Sequence, residues 1–116
     1  MLTAGPATRI YLMPGATDMR MGFDGLCALA SGPMGLDPLC GHLFLFCNKG
    51  RNRLKVLFWD GTGLWSCAKR LEKGRFAWPE AGAANGKVSL TQAELAMLLA
   101  GIDLRDTRKR AWLRIE

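Results

Sequence analysis

Three short segments separated by turn-forming residues, between Leu43 and Leu71, restrict the fold of this chain more than any other feature. Leu43 to Cys47 is apolar throughout, as suits a strand covered on both faces. Asn48 to Asn52 is polar and contains Gly50, which makes it a hairpin loop. In the next run Arg53 and Lys55 alternate with Leu54, Val56 and Phe58. Side chains of a strand point alternately to its two faces, so the cations share a solvent-directed face and the apolar trio faces the core. Asp60-Gly61, with Gly63 beyond, accepts the positive φ that tight turns require, and Leu64 to Leu71 returns as a third strand. The expectation is an antiparallel meander over 43–47, 53–59 and 64–71, its turns and outer face carrying most of the positive charge.

Helical periodicity flanks this sheet. Met19, Phe23, Leu26, Cys27 and Ala30 recur at the spacing of one helical face, with Asp18 placed as N-cap and Ser31-Gly32-Pro33 as the stop. Gly22 and Gly25 weaken such a helix by about 1 kcal/mol each relative to Ala, which points to close backbone approach at both. Thr91-Gln92-Ala93-Glu94 reads as a capping box, in which hydroxyl and carboxylate satisfy the first free backbone N–H groups. Leu95, Leu98, Leu99 and Ile102 then line a face that Gly101 ends. The sequence therefore predicts an α+β domain over 1–104, with helices over about 19–30 and 92–100 packed on the sheet, and a basic, partly ordered tail over 105–116.

A chain of 116 residues with 49% hydrophobic content is long enough for one core without disulfide or metal support. The longest apolar run, Leu95 to Ala100, is far short of the roughly 20 residues of a membrane span, and Gly5, Pro6 and Pro14 interrupt what a secretory leader would keep apolar. A cytoplasmic protein without membrane contact is expected. Cys27, Cys40, Cys47 and Cys67 lie among apolar neighbours and read as free thiols. Cys40 with His42 has no second pair of ligands at matching distance, so no metal is expected.

The net charge of +6 is unevenly placed. Lys49, Arg51, Arg53, Lys55, Lys69, Arg70, Lys73 and Arg75 face only Asp60 and Glu72 within 49–75, and a second basic cluster begins at Arg105. Basicity this local suits a polyanionic partner better than general solubility. Trp59, Trp65, Phe76 and Trp78 are interleaved with the same cations, the mixture with which proteins stack bases and hold phosphates, although a small domain also needs aromatics for its core. Arg51, Arg53 and Lys55 are the first candidates for phosphate contact, and Lys69, Arg70, Lys73 and Arg75 follow, with Lys49 beside them.

Catalytic patterns do not emerge. One His (His42) and one Tyr (Tyr11) cannot supply the paired histidines and tyrosine of metal-dependent strand nicking. Two-metal phosphoryl transfer needs converging carboxylates, whereas the acids here sit at caps and turns. Asp60-Gly61-Thr62-Gly63 lacks the Gly-Lys-Ser/Thr of a phosphate loop. No enzymatic activity and no cofactor are expected.

Several motifs in order resemble one family. They are Asp18-Met19-Arg20 with Gly22-Phe23-Asp24-Gly25-Leu26, Gly41-His42-Leu43-Phe44, Leu54-Lys55-Val56-Leu57 with Trp59-Asp60-Gly61, Lys69-Arg70-Leu71-Glu72 with Gly74-Arg75-Phe76, Trp78-Pro79, and Leu98-Leu99 with Gly101-Ile102-Asp103. Spanning most of the chain, they are similar to those of TnpB, the small accessory protein of bacterial insertion sequences of the insertion-sequence-66 type. The resemblance implies a non-catalytic bacterial protein encoded beside a larger transposase. It leaves three mechanisms open: the basic hairpins bind DNA at element ends or in a transposition intermediate, the protein is an adaptor docking on the transposase, or it binds RNA with a regulatory effect.

Overall fold

The computed structural model describes residues 8–101, so the proposed basic tail lies outside the described residues. The elements follow in the order β1 (Ile10–Leu12), α1 (Phe23–Ser31), β2 (Leu43–Cys47), β3 (Arg53–Trp59), β4 (Leu64–Arg70), β5 (Val88–Leu90) and α2 (Gln92–Leu99), with a single 3₁₀ turn at Ala83–Gly86. They build one five-stranded sheet in the order β4-β3-β2-β1-β5.

The expected meander is the antiparallel part of that sheet: β2 pairs with β3 and β3 with β4, through registers Leu45↔Val56 and Val56↔Cys67. A meander of three strands is nevertheless too small a description. β1 joins β2 in parallel, Tyr11 opposite Phe44, which requires the crossover that α1 supplies. β5 returns antiparallel on the far side of β1. The sheet is therefore mixed.

Alternation sorts the strand residues onto two cores. Leu43, Leu45, Cys47, Leu54 and Val56 join Phe76, Trp78, Leu95 and Leu98 on the α2 side. Tyr11, Phe44, Phe46 and Leu57 meet Leu26, Ala30 and Met34 on the α1 side. Helices thus cover opposite faces, which explains why every residue of β2 is buried. Burying side chains such as Phe44, Phe46 and Leu45 completely contributes roughly 1.5–3 kcal/mol each.

Helix α1 starts later than its periodicity suggested. Its N-cap is Gly22, and Asp18 instead closes a preceding turn by accepting the Arg20 backbone N–H at 2.9 Å. Phe23 is consequently exposed while Leu26 and Ala30 face the core. A Cβ at Gly22 would meet open space and one at Gly25 only the side chain of Met21, so neither glycine serves a close approach between elements. At α2 the capping box is complete: Thr91 Oγ1 accepts the Glu94 N–H at 3.1 Å, and the Glu94 carboxylate accepts the Thr91 N–H at 2.8 Å. Gly101, at φ +74°, takes the left-handed conformation expected just past the helix.

Candidate nucleic-acid interface

The Asp60–Gly63 turn fixes how β3 and β4 lie together. Gly61 adopts φ +104°, and Asp60 Oδ1 accepts the backbone N–H groups of Thr62 and Gly63 at 2.8 and 2.9 Å. Its other oxygen accepts the Trp65 indole N–H at 2.7 Å. These bonds favour the ionised carboxylate and hold Asp60 well below the usual carboxylate range. The resulting register sets Arg53 opposite Arg70 and Lys55 opposite Ala68, all on the α1 side of the sheet.

None of the described residues lining this end of β3 and β4 belongs to α1. A groove of about 450 Å³ opens there, lined by Met19, Arg53, Lys55, Ala68, Arg70 and Glu72, and bordered by Leu54 and Lys69. Strand alternation directs the side chains of Leu54 and Lys69 to the other face. Ala68 makes the groove possible, since a larger residue opposite Lys55 would fill it. Arg53 is exposed. Arg70 is exposed and forms an ion pair with the exposed Glu72, Nη2 to Oε2 at 3.2 Å. Lys55 is half-buried, its Nζ donating to the Met21 carbonyl at 2.9 Å, so it is less free in solvent than the alternation implied. Phe58 is likewise only half-buried, packed against the α2-side core and stacked beside the exposed Trp65.

The other predicted cations divide. Lys69 points to the α2 face and donates to the Leu99 carbonyl at 2.6 Å. Lys49, Lys73 and Arg75 are exposed on loops outside the groove. Arg51 is committed within the fold: its Nη1 donates to the Trp78 carbonyl at 2.5 Å and its Nη2 meets Glu80 at 2.9 Å. The basic segments therefore do not form one continuous outer face. Three side chains, Arg53, Lys55 and Arg70, converge.

Sequence reasoning did not identify Met19 or Ala68 as groove residues. Met19 reads from its spacing as a helix residue, whereas Asp18-Met19-Arg20 forms a turn in which the Arg20 Nε and Nη2 donate to the Asp18 carboxylate. That bonding lowers the Asp18 pKa to about 2, with Lys55 adding a smaller attraction. Ala68 carried a signal in its small size between Cys67 and Lys69, but its partner across the hairpin had to be known.

The aromatic side chains also divide. Phe76 and Trp78 are buried, with the Trp78 indole donating to the Met13 carbonyl at 2.9 Å. Trp65 is 53% exposed and stacks beside Phe58 at a 6.0 Å centroid separation and 6° interplanar angle. It lies on the α2 side of the sheet, away from the groove. His42 has a structural partner, its Nδ1 accepting the Arg9 backbone N–H at 3.0 Å. Among the described residues no group of three or more His, Cys, Asp or Glu is placed to hold a metal ion, and no helix is long and apolar enough to cross a membrane.

Two proteins of Sinorhizobium fredii are similar along nearly their whole length. One, y4hO, is 41% identical over 105 residues, covering 90% of either chain. The other, y4jC, is 33% identical over 102 residues, covering 88% of this chain and 86% of its own. No solved structure matches the chain. The family model described as IS66 Orf2 like protein matches residues 8–109, which takes in the groove, both hairpins and both helices. The chain belongs to the IS66 Orf2-like family, whose members are accessory to insertion-sequence transposition.

Proposed function

We propose that this protein is a non-catalytic transposition accessory that holds the phosphate backbone of DNA in the groove between β3 and β4. The observation that supports this reading is the convergence of Arg53, Lys55 and Arg70 on one concave surface where the one acidic lining residue among the described residues, Glu72, is paired with Arg70. Guanidinium groups suit phosphate oxygens because their planar N–H forks donate two bonds at once. Phosphate contacts position a protein on DNA without reading its sequence. Element ends or the strands of a transposition intermediate are therefore bound by charge, and target choice belongs to the larger transposase.

Trp65 favours a second reading, in which the protein is an adaptor on the transposase. Its indole is held by Asp60 and Phe58 yet remains half open, as suits an aromatic anchor in a protein interface. Fluorescence anisotropy with element-end and scrambled duplexes, with and without transposase, separates the two. DNA contact predicts binding to both duplexes by the protein alone and loss on Arg53→Ser with Arg70→Ser. The adaptor reading predicts weak DNA binding alone and a saturable transposase complex that Trp65→Ala weakens.

A further inference from the structure

Strand β4 is the one long edge of the sheet, and its outer side is unpaired among the described residues. The opposite edge, β5, has only three residues. Native proteins guard long edges with bulges, coverings or central charges. Strand β4 has an unbroken register from Leu64 to Arg70 and carries charge only at its end, in Lys69 and Arg70.

Which backbone groups are open follows from the flanking bonds. Asp60 N–H donates to Gly63 O at 3.0 Å, and Leu71 N–H donates to Asn52 O at 2.8 Å. Antiparallel pairs alternate, so Trp65, Cys67 and Lys69 turn their backbone groups toward β3. Leu64, Ser66, Ala68 and Arg70 turn theirs outward.

We infer that β4 pairs with β4 of a second copy of this chain, antiparallel about a two-fold axis at Cys67. In this register Ser66 bonds the partner's Ala68 and Leu64 bonds the partner's Arg70, which uses every outward backbone group. Trp65 then faces the partner's Lys69, a favourable aromatic–cation neighbour. Charge selects the register: each cationic end meets the other copy's neutral end near its Asp60 turn, whereas moving the axis to residue 69 sets Lys69 against Lys69. A two-fold axis perpendicular to the sheet leaves both grooves on one side. Their β3 strands lie three strand spacings apart, about 14 Å.

The pairing does not depend on DNA binding, and its test uses the full chain without nucleic acid. Sedimentation velocity is expected to give twice the 12.7 kDa chain mass. Ala68→Pro removes an outward N–H that the β3–β4 ladder does not use, and is expected to give a monomer. In a chain carrying Cys27→Ser and Cys40→Ser, mild oxidation is expected to join two copies through Cys67, because residues facing each other at a non-hydrogen-bonded position lie about 4.5 Å apart at Cα. This cross-link decides the matter if the proline variant does not fold. A monomer across the concentration range, a dimer that a folded Ala68→Pro chain retains, or a dimer that Cys67 cannot cross-link would each overturn the inference.

Discussion

Arg51 reaches from the β2–β3 loop to the Trp78 backbone, its Nη1 donating to that carbonyl at 2.5 Å while its own carbonyl accepts the Phe76 N–H at 2.6 Å. This one residue ties the hairpin to the segment that delivers Phe76 and Trp78 to the core. It does so at φ +61°, a conformation unfavourable for a non-glycine residue.

Arg51→Ala is accordingly expected to cost about 2 kcal/mol, the scale of a hydrogen bond from a charged donor. Arg51→Gly should cost about 1 kcal/mol less than Arg51→Ala, because glycine relieves the left-handed strain. Urea denaturation of both variants checks the order. Neither change should alter the salt dependence of DNA binding, which separates this cation from those in the groove.

Acid should weaken the β3–β4 turn through Asp60. Its pKa lies below the ordinary 3.8 in the fold, so the unfolded chain takes up the proton first as pH falls. The stabilisation is complete above about pH 5 and is lost as pH falls through 3.8 toward the folded value. Asp60→Ala should lower the melting temperature at pH 7, and its difference from the unchanged chain should shrink steadily between pH 5 and 2. Melting curves over that range check the sign.

Thiol reactivity should follow burial. Cys40 is exposed, whereas Cys47 lies wholly inside β2 and burial pushes its thiol up to about 12. A chromogenic disulfide reagent is expected to modify Cys40 within the native protein and Cys47 only on unfolding, with mass spectrometry assigning the sites. Fast native labelling of Cys47 would contradict the two-sided burial of β2.

The strands β2, β3 and β4 were legible because each is specified locally, by alternation in Arg53–Phe58 and by the Asp60-Gly61 turn. Strands β1 and β5 were not, since three residues carry too little periodicity and the parallel pairing of Tyr11 with Phe44 depends on a crossover through α1. The candidate site divides in the same way. Alternation placed Arg53 and Lys55 on one face, but only the fold shows that Arg70 joins them. The attachment of Arg51 to Trp78 and Glu80 spans 27 and 29 positions and left no local trace.

Removal of groove charge tests the central proposal most directly. Each phosphate neutralised on duplex DNA contributes about −0.9 to the slope of log affinity against log salt. Arg53 and Arg70 are exposed, so Arg53→Ser with Arg70→Ser should leave thermal stability within about 0.5 kcal/mol. The slope should then flatten by about two units per bound chain. An unchanged slope and affinity in a folded double variant would contradict phosphate binding by the β3–β4 groove.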